Sequence, residues 1–353
     1  MLPIRIKPKN YELVSSWLRR LANQNGTDLN TLSNLIFSNS KLLVNDIDKY
    51  LTTDEILRIS SFTGVKEPII YQLTIHSILS QISILSLSPN SKWNWCIPSG
   101  GVYKHKTNGL QFCPLCLKEG NDIFYIFCRL SWNISCMKHK CLLHTNCPNC
   151  DYKYSPHLIK FQDIINRCTN CNFDLSTIDE EPVNDNITDF QVFLNSSILK
   201  TNIVQNQYLF LDKNVKELFY SIKVFTSFIH RNKKNTSLAK KITKYMCFNQ
   251  NLQLLNSFDS MSCFSRLEIL TDVVTIIQLN VKKLIYIFSH SKITYRQFLG
   301  NNDTVPLSET SKKISSVLKN KTIKNNSIRS KKTIKPRSIK EVDTLMNEVE
   351  LFL

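Results

Sequence analysis

Glycine and long apolar runs are both scarce in this sequence. Only 7 of 353 residues are glycine, and no Gly-x-x-x-x-Gly-Lys-Ser/Thr segment occurs, which excludes a P-loop nucleotide site. No apolar run reaches the roughly 18 residues that a membrane span requires. The apolar stretch at the N-terminus is also too short for a signal peptide. We therefore expect a cytoplasmic protein with no membrane partner.

Acidic residues are fewer than basic residues in this sequence. The chain has 28 Asp+Glu against 45 Lys+Arg, a formal net charge of +17, and this balance favours a polyanionic partner. The carboxylates are scattered, with no Asp/Asp/Glu set on convincing strands for two-metal phosphoryl transfer. No Ser or Cys nucleophile has a local signature. The sequence therefore predicts a binding protein rather than an enzyme.

Cysteine, in contrast, is abundant, with 12 residues. A cytosolic chain keeps its thiols reduced, so metal ligation is the first interpretation. Four pairs of ligand residues with a two-residue gap lie between positions 113 and 171, and two such pairs complete a tetrahedron. Taken in chain order, the first predicted site is Cys113, Cys116, Cys136 and His139, and the second is Cys147, Cys150, Cys168 and Cys171.

Both spacings fit the zinc-ribbon range. Sites with four protein ligands leave no open coordination position and are structural, so we expect two structural Zn²⁺ ions. Cys141 and His144 form an alternative pair that could replace Cys136 and His139. The remaining cysteines outside this stretch fit small core residues better than ligands; they are Cys96, Cys247 and Cys263.

Several segments around the first predicted site occur in a distinctive order. They read Phe112-Cys-Pro-Leu-Cys-Leu, Arg129-Leu-Ser-Trp132, Cys136-Met-Lys-His139 and Cys147-Pro-Asn-Cys150. Together they resemble the TniQ/TnsD family of transposon target-selection proteins. The start of the chain resembles the opening of that family at Pro3, Pro8, Glu12, Leu13, Ser15, Ser16, Trp17, Leu18, Arg20, Leu21, Ala22, Asn25 and Gly26. Leu13-Val14 stands where that family frequently has a serine.

The resemblance implies an accessory protein of DNA transposition rather than the transposase. Members of the family direct a transposon to its target by reading a DNA attachment site or by docking on a CRISPR effector. They communicate the selected target to an AAA+ regulator, which recruits the transposase. The implied partners are therefore DNA, a CRISPR ribonucleoprotein and that regulator. Pairing as a homodimer is also compatible with the resemblance. The alternative is a sequence-specific zinc-containing DNA-binding or transcription factor outside any transposon.

The hydrophobic pattern predicts a mainly α fold with small β zinc ribbons. We expect an N-terminal helix-turn-helix domain over 1–82, and a connector with tandem zinc ribbons over 83–178. A C-terminal helical bundle should follow over 187–300, after a polar linker at 178–186. The remaining residues, 301–353, should form a basic, disordered arm that ends in a short amphipathic helix. Trp93, Trp95 and Trp132 are expected to be packing anchors.

Two regions are candidates for contact with nucleic acid or a protein partner. In the predicted helix-turn-helix, Gly64 separates two helices, and Ile69, Ile70 and Leu73 of the second should point inward. Its candidate contact residues are Lys66, Gln72 and His76. In the arm, residues 311–340 hold eleven Lys or Arg and no acid, a pattern suited to phosphates or simply to a solvated tail. Its candidates are Lys312, Lys313, Lys331, Lys332 and Arg337.

Overall fold

A computed structural model describes the fold for most of the chain. The described residues are 2–37, 46–99, 110–199, 208, 214–233, 257–279, 281–291, 293–300 and 308–328. The N-terminal helices are α1 (Val14–Gln24), α2 (Leu29–Phe37), α3 (Thr53–Thr63), α4 (Glu67–Gln72) and α5 (Ile75–Ile82). The later helices are α6 (Pro114–Lys118), α7 (Asp185–Leu199), α8 (Val215–Lys233), α9 (Cys263–Ile277), α10 (Val281–His290), α11 (Tyr295–Leu299) and α12 (Glu309–Ile328).

The predicted mainly α fold is confirmed. Within the described residues, β structure consists of isolated antiparallel bridges such as Ser135 with Leu142, Asn146 with Lys153 and Arg167 with Asp174. Short 3-10 turns accompany them at Ile126–Arg129, Pro156–Leu158, Leu175–Thr177 and Phe258–Ser260. No helix in the described part of the chain is both long and apolar enough to cross a membrane.

Helices α1 to α4 surround a small core of their own. Trp17 and Leu21 of α1 are fully buried there, and Ile59 of α3 and Ile70 of α4 close it from the other side. Asp28 caps α2, because its Oδ1 atom accepts a hydrogen bond from the Thr31 backbone at 2.8 Å. The two helices predicted over residues 11–37 are thus confirmed.

Helices α3 and α4 meet at Gly64, which ends α3 in the left-handed conformation (φ 74°). Helix α4 spans only six residues. On so short a helix, Ile70 and Leu73 occupy the side that faces α3, and both are buried. The prediction that Ile69 also points inward is wrong, because its side chain is 42% exposed.

A second and larger core joins the ribbons to the C-terminal helices. Helix α5 contributes Ile75 and Leu79 to it. Trp95 packs edge-on against Trp132, with ring centroids 5.8 Å apart, and Trp132 Nε1 donates to Asn195 Oδ1 of α7 at 2.9 Å. Since Trp93 is buried as well, the predicted packing role of all three tryptophans is confirmed.

Two segments differ from the sequence-based expectation. The acidic stretch predicted as a linker pairs with the first ribbon: Leu142 N donates to Glu181 O at 2.8 Å, and Val183 N donates to Lys140 O at 3.1 Å. The first part of the basic arm is also not disordered, because Glu309–Ile328 is helix α12. Ile314 and Leu318 bury its inner side against the bundle, so a segment too polar to fold alone is ordered by docking.

A buried arginine is among the contacts that join the N-terminal helices to the ribbons. Arg129, 3% exposed, donates from Nη1 to Asp46 Oδ1 at 3.0 Å and from Nη2 to the Ile97 carbonyl at 2.9 Å. Asp48 lies 3.8 Å from the same guanidinium. Asp48 in turn accepts hydrogen bonds from the backbone and hydroxyl of Ser15 at 2.8 and 2.7 Å. The charge network therefore spans α1, the segment before α3 and the first ribbon.

Replacing this arginine should destabilise the protein strongly. Arg129→Ala leaves the buried carboxylates without their cation, which costs about 3–5 kcal/mol in comparable pairs. The matched control is Arg58→Ala, which removes an exposed pair with Asp54 on α3 and should change stability by about 0.5 kcal/mol or less. Denaturant unfolding of the two variants measures the difference, and equal stabilities would contradict the assignment of Arg129 as the junction.

Candidate metal centres

Three of the four predicted ligand pairs sit on the same kind of tight hairpin. After each pair comes one residue with a positive φ angle, namely Lys140 (54°), Asp151 (55°) and Asn172 (58°). In the second hairpin, the Cys147 carbonyl accepts from Asp151 N at 2.8 Å, while Cys147 N donates to the Tyr152 carbonyl at 2.8 Å. This turn aims both ligands of a pair at one point. Asparagine and aspartate tolerate the left-handed conformation better than most residues.

The remaining pair, Cys113 and Cys116, is presented by a helix. Cys113 is the N-cap residue of α6, and Pro114 occupies the first position of that helix, where its missing N–H is not needed. Gly120 (φ 75°) follows the end of the helix, and Asn121 N returns a hydrogen bond to the Cys116 carbonyl at 3.0 Å. The first site thus combines a helical pair with a hairpin pair.

The atoms of the first site are spaced for a tetrahedral ion. Nδ1 of His139 lies 3.3 Å from Cys113 Sγ, 3.4 Å from Cys116 Sγ and 3.6 Å from Cys136 Sγ. The sulfurs of Cys116 and Cys136 are 3.7 Å apart. A tetrahedral ion with bonds of about 2.3 Å to sulfur and 2.0 Å to nitrogen needs ligand separations of about 3.5–3.8 Å. The four residues therefore fit a metal ion.

The second site has four sulfurs in an equivalent arrangement. Cys147 Sγ is 3.6 Å from Cys171 Sγ, and Cys150 Sγ is 3.7 Å from Cys168 Sγ. In each site all four ligand atoms lie within 4.8 Å of one another. Both sets hold the residues predicted from spacing, and each could bind a metal ion.

The alternative pair does not form a site. Cys141 Sγ approaches Cys113 Sγ to 3.5 Å, but the His144 ring lies against Phe112 with centroids 5.9 Å apart, and its backbone pairs with that of Phe112. The geometry selects Cys136 and His139. Cys96 and Cys263 are buried outside both sets, and Cys247 lies outside the described residues.

The pKa values of the thiols are shifted in both directions within the two ligand sets. A hydrogen bond from the Asn149 side chain, assisted by the Phe173 backbone, lowers the pKa of Cys171 to about 6. Hydrogen bonds, first of all from Cys116, also lower the pKa of Cys113. Burial instead raises the pKa of Cys147 to about 12, a cost that a bound cation would offset. Outside the two sets, burial raises the pKa of Cys96 to about 12 and keeps it a thiol.

Supporting contacts around the first site could not be read from the spacing of the ligands. Glu119 Oε1 lies 3.2 Å from Nε2 of His139, the nitrogen that faces away from the sulfurs. Hydrogen bonds, first from Lys138 and then from His139, lower the pKa of Glu119. From α7, Gln191 accepts from Ile134 N at 2.9 Å and donates to the Ser135 carbonyl at 2.9 Å. These contacts orient the ligands and the hairpin that carries them.

The predicted contact residues of the helix-turn-helix are divided between α4 and α5. Lys66 precedes α4 and Gln72 ends it, and both are exposed. His76 lies on α5 instead, where its ring contacts Tyr50 and Trp93 at centroid distances of 5.3 and 5.5 Å. Because α4 is so short, the chain has turned into the next helix before residue 76. His76 therefore lies outside the second helix of the predicted helix-turn-helix, although its Nδ1 is 3.0 Å from the Tyr71 hydroxyl of α4. Contact of Lys66, Gln72 and His76 with one partner stays a prediction.

The predicted contact residues of the arm are only partly described. Lys312 and Lys313 are exposed in the first turns of α12. Lys331, Lys332 and Arg337 lie outside the described residues, so their role stays a prediction.

Loss of a single ligand should expose the dependence of the fold on metal. We expect two ions per chain in the native protein and one in Cys150→Ser, with rapid proteolysis between residues 147 and 171. Structural sites of this kind contribute about 10–16 kcal/mol of apparent binding free energy. Cys96→Ser, which replaces a buried thiol outside both sets, should keep two ions. Elemental analysis with limited proteolysis checks this, and one ion or none in folded wild-type protein would refute it.

Glu119 should raise the metal affinity of the first site without being a ligand. Glu119→Gln weakens the acceptor for His139 Nε2–H and should lower the metal affinity of the first site about 10- to 100-fold. Lys138→Gln is the matched control, because it removes the other partner of Glu119 and leaves the contact with His139. A chelator competition titration separates the two variants. Equal affinities in both would show that Glu119 does not support the histidine.

Comparison with known proteins gives a match in the first part of the chain. Residues 3–143 match the family model described as TniQ, and no curated protein matches the chain. The matched range includes α1 to α6, the Arg129 junction and all four ligands of the first site. The second site lies beyond it. Residues 3–143 are therefore identified as a TniQ domain, a match that supports a relationship of the chain to the TniQ family.

Proposed function

We propose that this chain selects the target site for DNA transposition and has no catalytic activity of its own. It would bridge a target-recognition element, either a CRISPR effector or a DNA attachment site, to an AAA+ transposition regulator. The observation that carries the proposal is the TniQ domain at residues 3–143, which supports a transposition-associated role in target selection. The complete ligand set of the first site within that domain adds support.

Zinc is the ion that best suits both sites. Three thiolates with one imidazole, and four thiolates, are the usual donor sets of structural zinc, and such soft donors disfavour magnesium and calcium. With four protein ligands each, the ions would have no place for substrate or activated water. Their proposed role is to hold the hairpins that present the rest of the domain.

The exposed side of α3 and α4 supports contact with a protein partner. Leu57, Ile69 and Tyr71 are 46%, 42% and 37% exposed, and Lys66 and Gln72 flank them on the same two elements. A helix that reads DNA is usually rich in cations, whereas α4 itself carries none. Apolar and aromatic anchors with a polar rim are instead typical of protein interfaces.

The basic arm is proposed to contact the backbone of nucleic acid near the target. Lys312 and Lys313 are exposed on α12, and Lys331, Lys332 and Arg337 continue the same basic stretch of sequence. Such contacts release counterions and are independent of base sequence. Under this proposal the purified protein would bind DNA without a defined site, and the effector would supply the sequence specificity.

Transposition in cells tests the proposal. Deletion of the gene should abolish targeted insertion, while the transposase still cuts the ends of the donor element. Ile69→Glu should reduce targeting at least tenfold, because a buried interfacial charge is costly. Leu35→Glu is the matched control, since Leu35 is 57% exposed on α2, and it should leave targeting unchanged. Junction sequencing measures all four strains.

Two outcomes would overturn the proposal in different ways. Unchanged targeting in the deletion strain would contradict a role in target selection. A footprint of the isolated protein at one sequence, together with changed transcription and normal transposition, would favour the alternative DNA-binding factor.

A further inference from the structure

Helix α10 presents a preformed aromatic surface to solvent. The side chain of Tyr286 is 57% exposed. Its ring lies on that of His290, with centroids 3.9 Å apart and planes inclined by 35°. His290 Nδ1 donates to the Tyr286 carbonyl at 2.8 Å, and this hydrogen bond fixes the orientation of the histidine ring. The exposed tyrosine is therefore held in place rather than freely rotating.

The core does not require this tyrosine. The opposite side of α10 is buried through Leu284, Ile287 and Phe288. Phe288 packs on Phe228 of α8 and Phe298 of α11, at centroid distances of 5.2 and 5.6 Å. Helix α10 is thus anchored from one side, and the aromatic pair lies on the other.

Cations flank the aromatic pair along the same helix. Lys282 and Lys283 are exposed one turn before Tyr286, and α10 contains no acidic residue. Positions 282, 286 and 290 follow one another at four-residue intervals and so share one stripe. At 1.5 Å per residue the stripe is about 12 Å long. We call Lys282, Lys283, Tyr286 and His290 the α10 stripe.

The neighbouring helix adds charge of the same sign. Helix α12 packs against α10 and α11 and exposes Lys312 and Lys313. Between residues 281 and 328 the sequence has nine Lys or Arg against two acids, Asp303 and Glu309. Exposed lysines on two packed helices, one of which carries a fixed aromatic ring, suit a ligand with both negative charge and flat faces.

We propose that the α10 stripe binds single-stranded nucleic acid. Tyr286 would stack on an unpaired base, and Lys282, Lys283, Lys312 and Lys313 would contact the phosphates on either side. Stacking on an aromatic ring with flanking cations is the usual way in which proteins hold single strands without reading sequence. About 12 Å accommodates roughly three nucleotides at 3.4 Å each. This activity goes beyond target selection and holds whether or not the chain acts in transposition.

Binding of a labelled 20-nucleotide DNA strand to the purified full chain tests the stacking contact. Tyr286→Ala should weaken binding about 5- to 150-fold, whereas Tyr286→Phe should retain it, because stacking needs the ring and not the hydroxyl. Phe264→Ala is the matched control, since Phe264 is 55% exposed on α9, and it should bind as the wild type does. Fluorescence anisotropy measures all four proteins, and unchanged affinity in Tyr286→Ala would overturn the proposal.

The salt dependence of the same assay tests the phosphate contacts. Lys282→Ala combined with Lys312→Ala should lower the slope of log affinity against log salt by about 1.4, since each contact with a single strand contributes about 0.7. The control is Lys118→Ala with Lys160→Ala, two exposed lysines outside α10 and α12, and it should keep the slope.

Two further results of this assay would count against the α10 stripe. An unchanged slope in Lys282→Ala combined with Lys312→Ala would overturn the proposed phosphate contacts. Equal competition by polyglutamate would indicate an acidic protein surface as the ligand instead. Neither result depends on transposition in cells, so failure of this proposal and failure of target selection are distinguishable.

Discussion

The two ligand sets are the constraint on which the middle of the molecule depends. Between residues 110 and 183 the described backbone forms one short helix, isolated bridges and short turns rather than an extended sheet. Such pairing cannot offset the entropy of ordering the chain. In each set four candidate ligand atoms converge with the spacing of a tetrahedron, and a bound ion would hold these hairpins in fixed positions. The positions of the helices that pack on the ribbons depend on the positions of these hairpins.

The ribbons in turn join the two helical parts of the chain. Arg129 and its carboxylates connect them to the N-terminal helices, and a second buried arginine connects them to the bundle. Arg266 of α9 is fully buried, and donates to the Ser131 carbonyl at 2.8 Å and to Gln111 at 2.9 Å. Because both guanidinium groups are buried and hydrogen-bonded, we expect a structural change in either ribbon to affect the helices on both sides. A rigid centre of this kind would suit the bridging role proposed above.

Local signals in the sequence predicted some of this structure, and non-local contacts account for most of the remainder. The eight ligands were predictable because chelation fixes their spacing, and α1 and α2 because their apolar residues follow the helical period. The roles of Glu119 and Arg266 were not predictable, since each depends on a partner distant in sequence. Helix α12 escaped prediction for the same reason: Ile314 and Leu318 give it order only through the bundle. His76 was assigned to the wrong helix because α4 ends at Gln72 and a two-residue connection, Leu73 and Thr74, leads into α5.

X-ray absorption at the zinc edge of the native protein tests the central claim most directly. One site with three sulfurs and one nitrogen, and one with four sulfurs, should average about 3.5 sulfur neighbours per ion at about 2.3 Å, with nitrogen making up the fourth position. Full tetrahedral coordination by protein ligands would agree with two closed structural sites. A substantial shell of oxygen from water, or an average near two sulfurs, would contradict the proposed ligand sets and the structural role given to them.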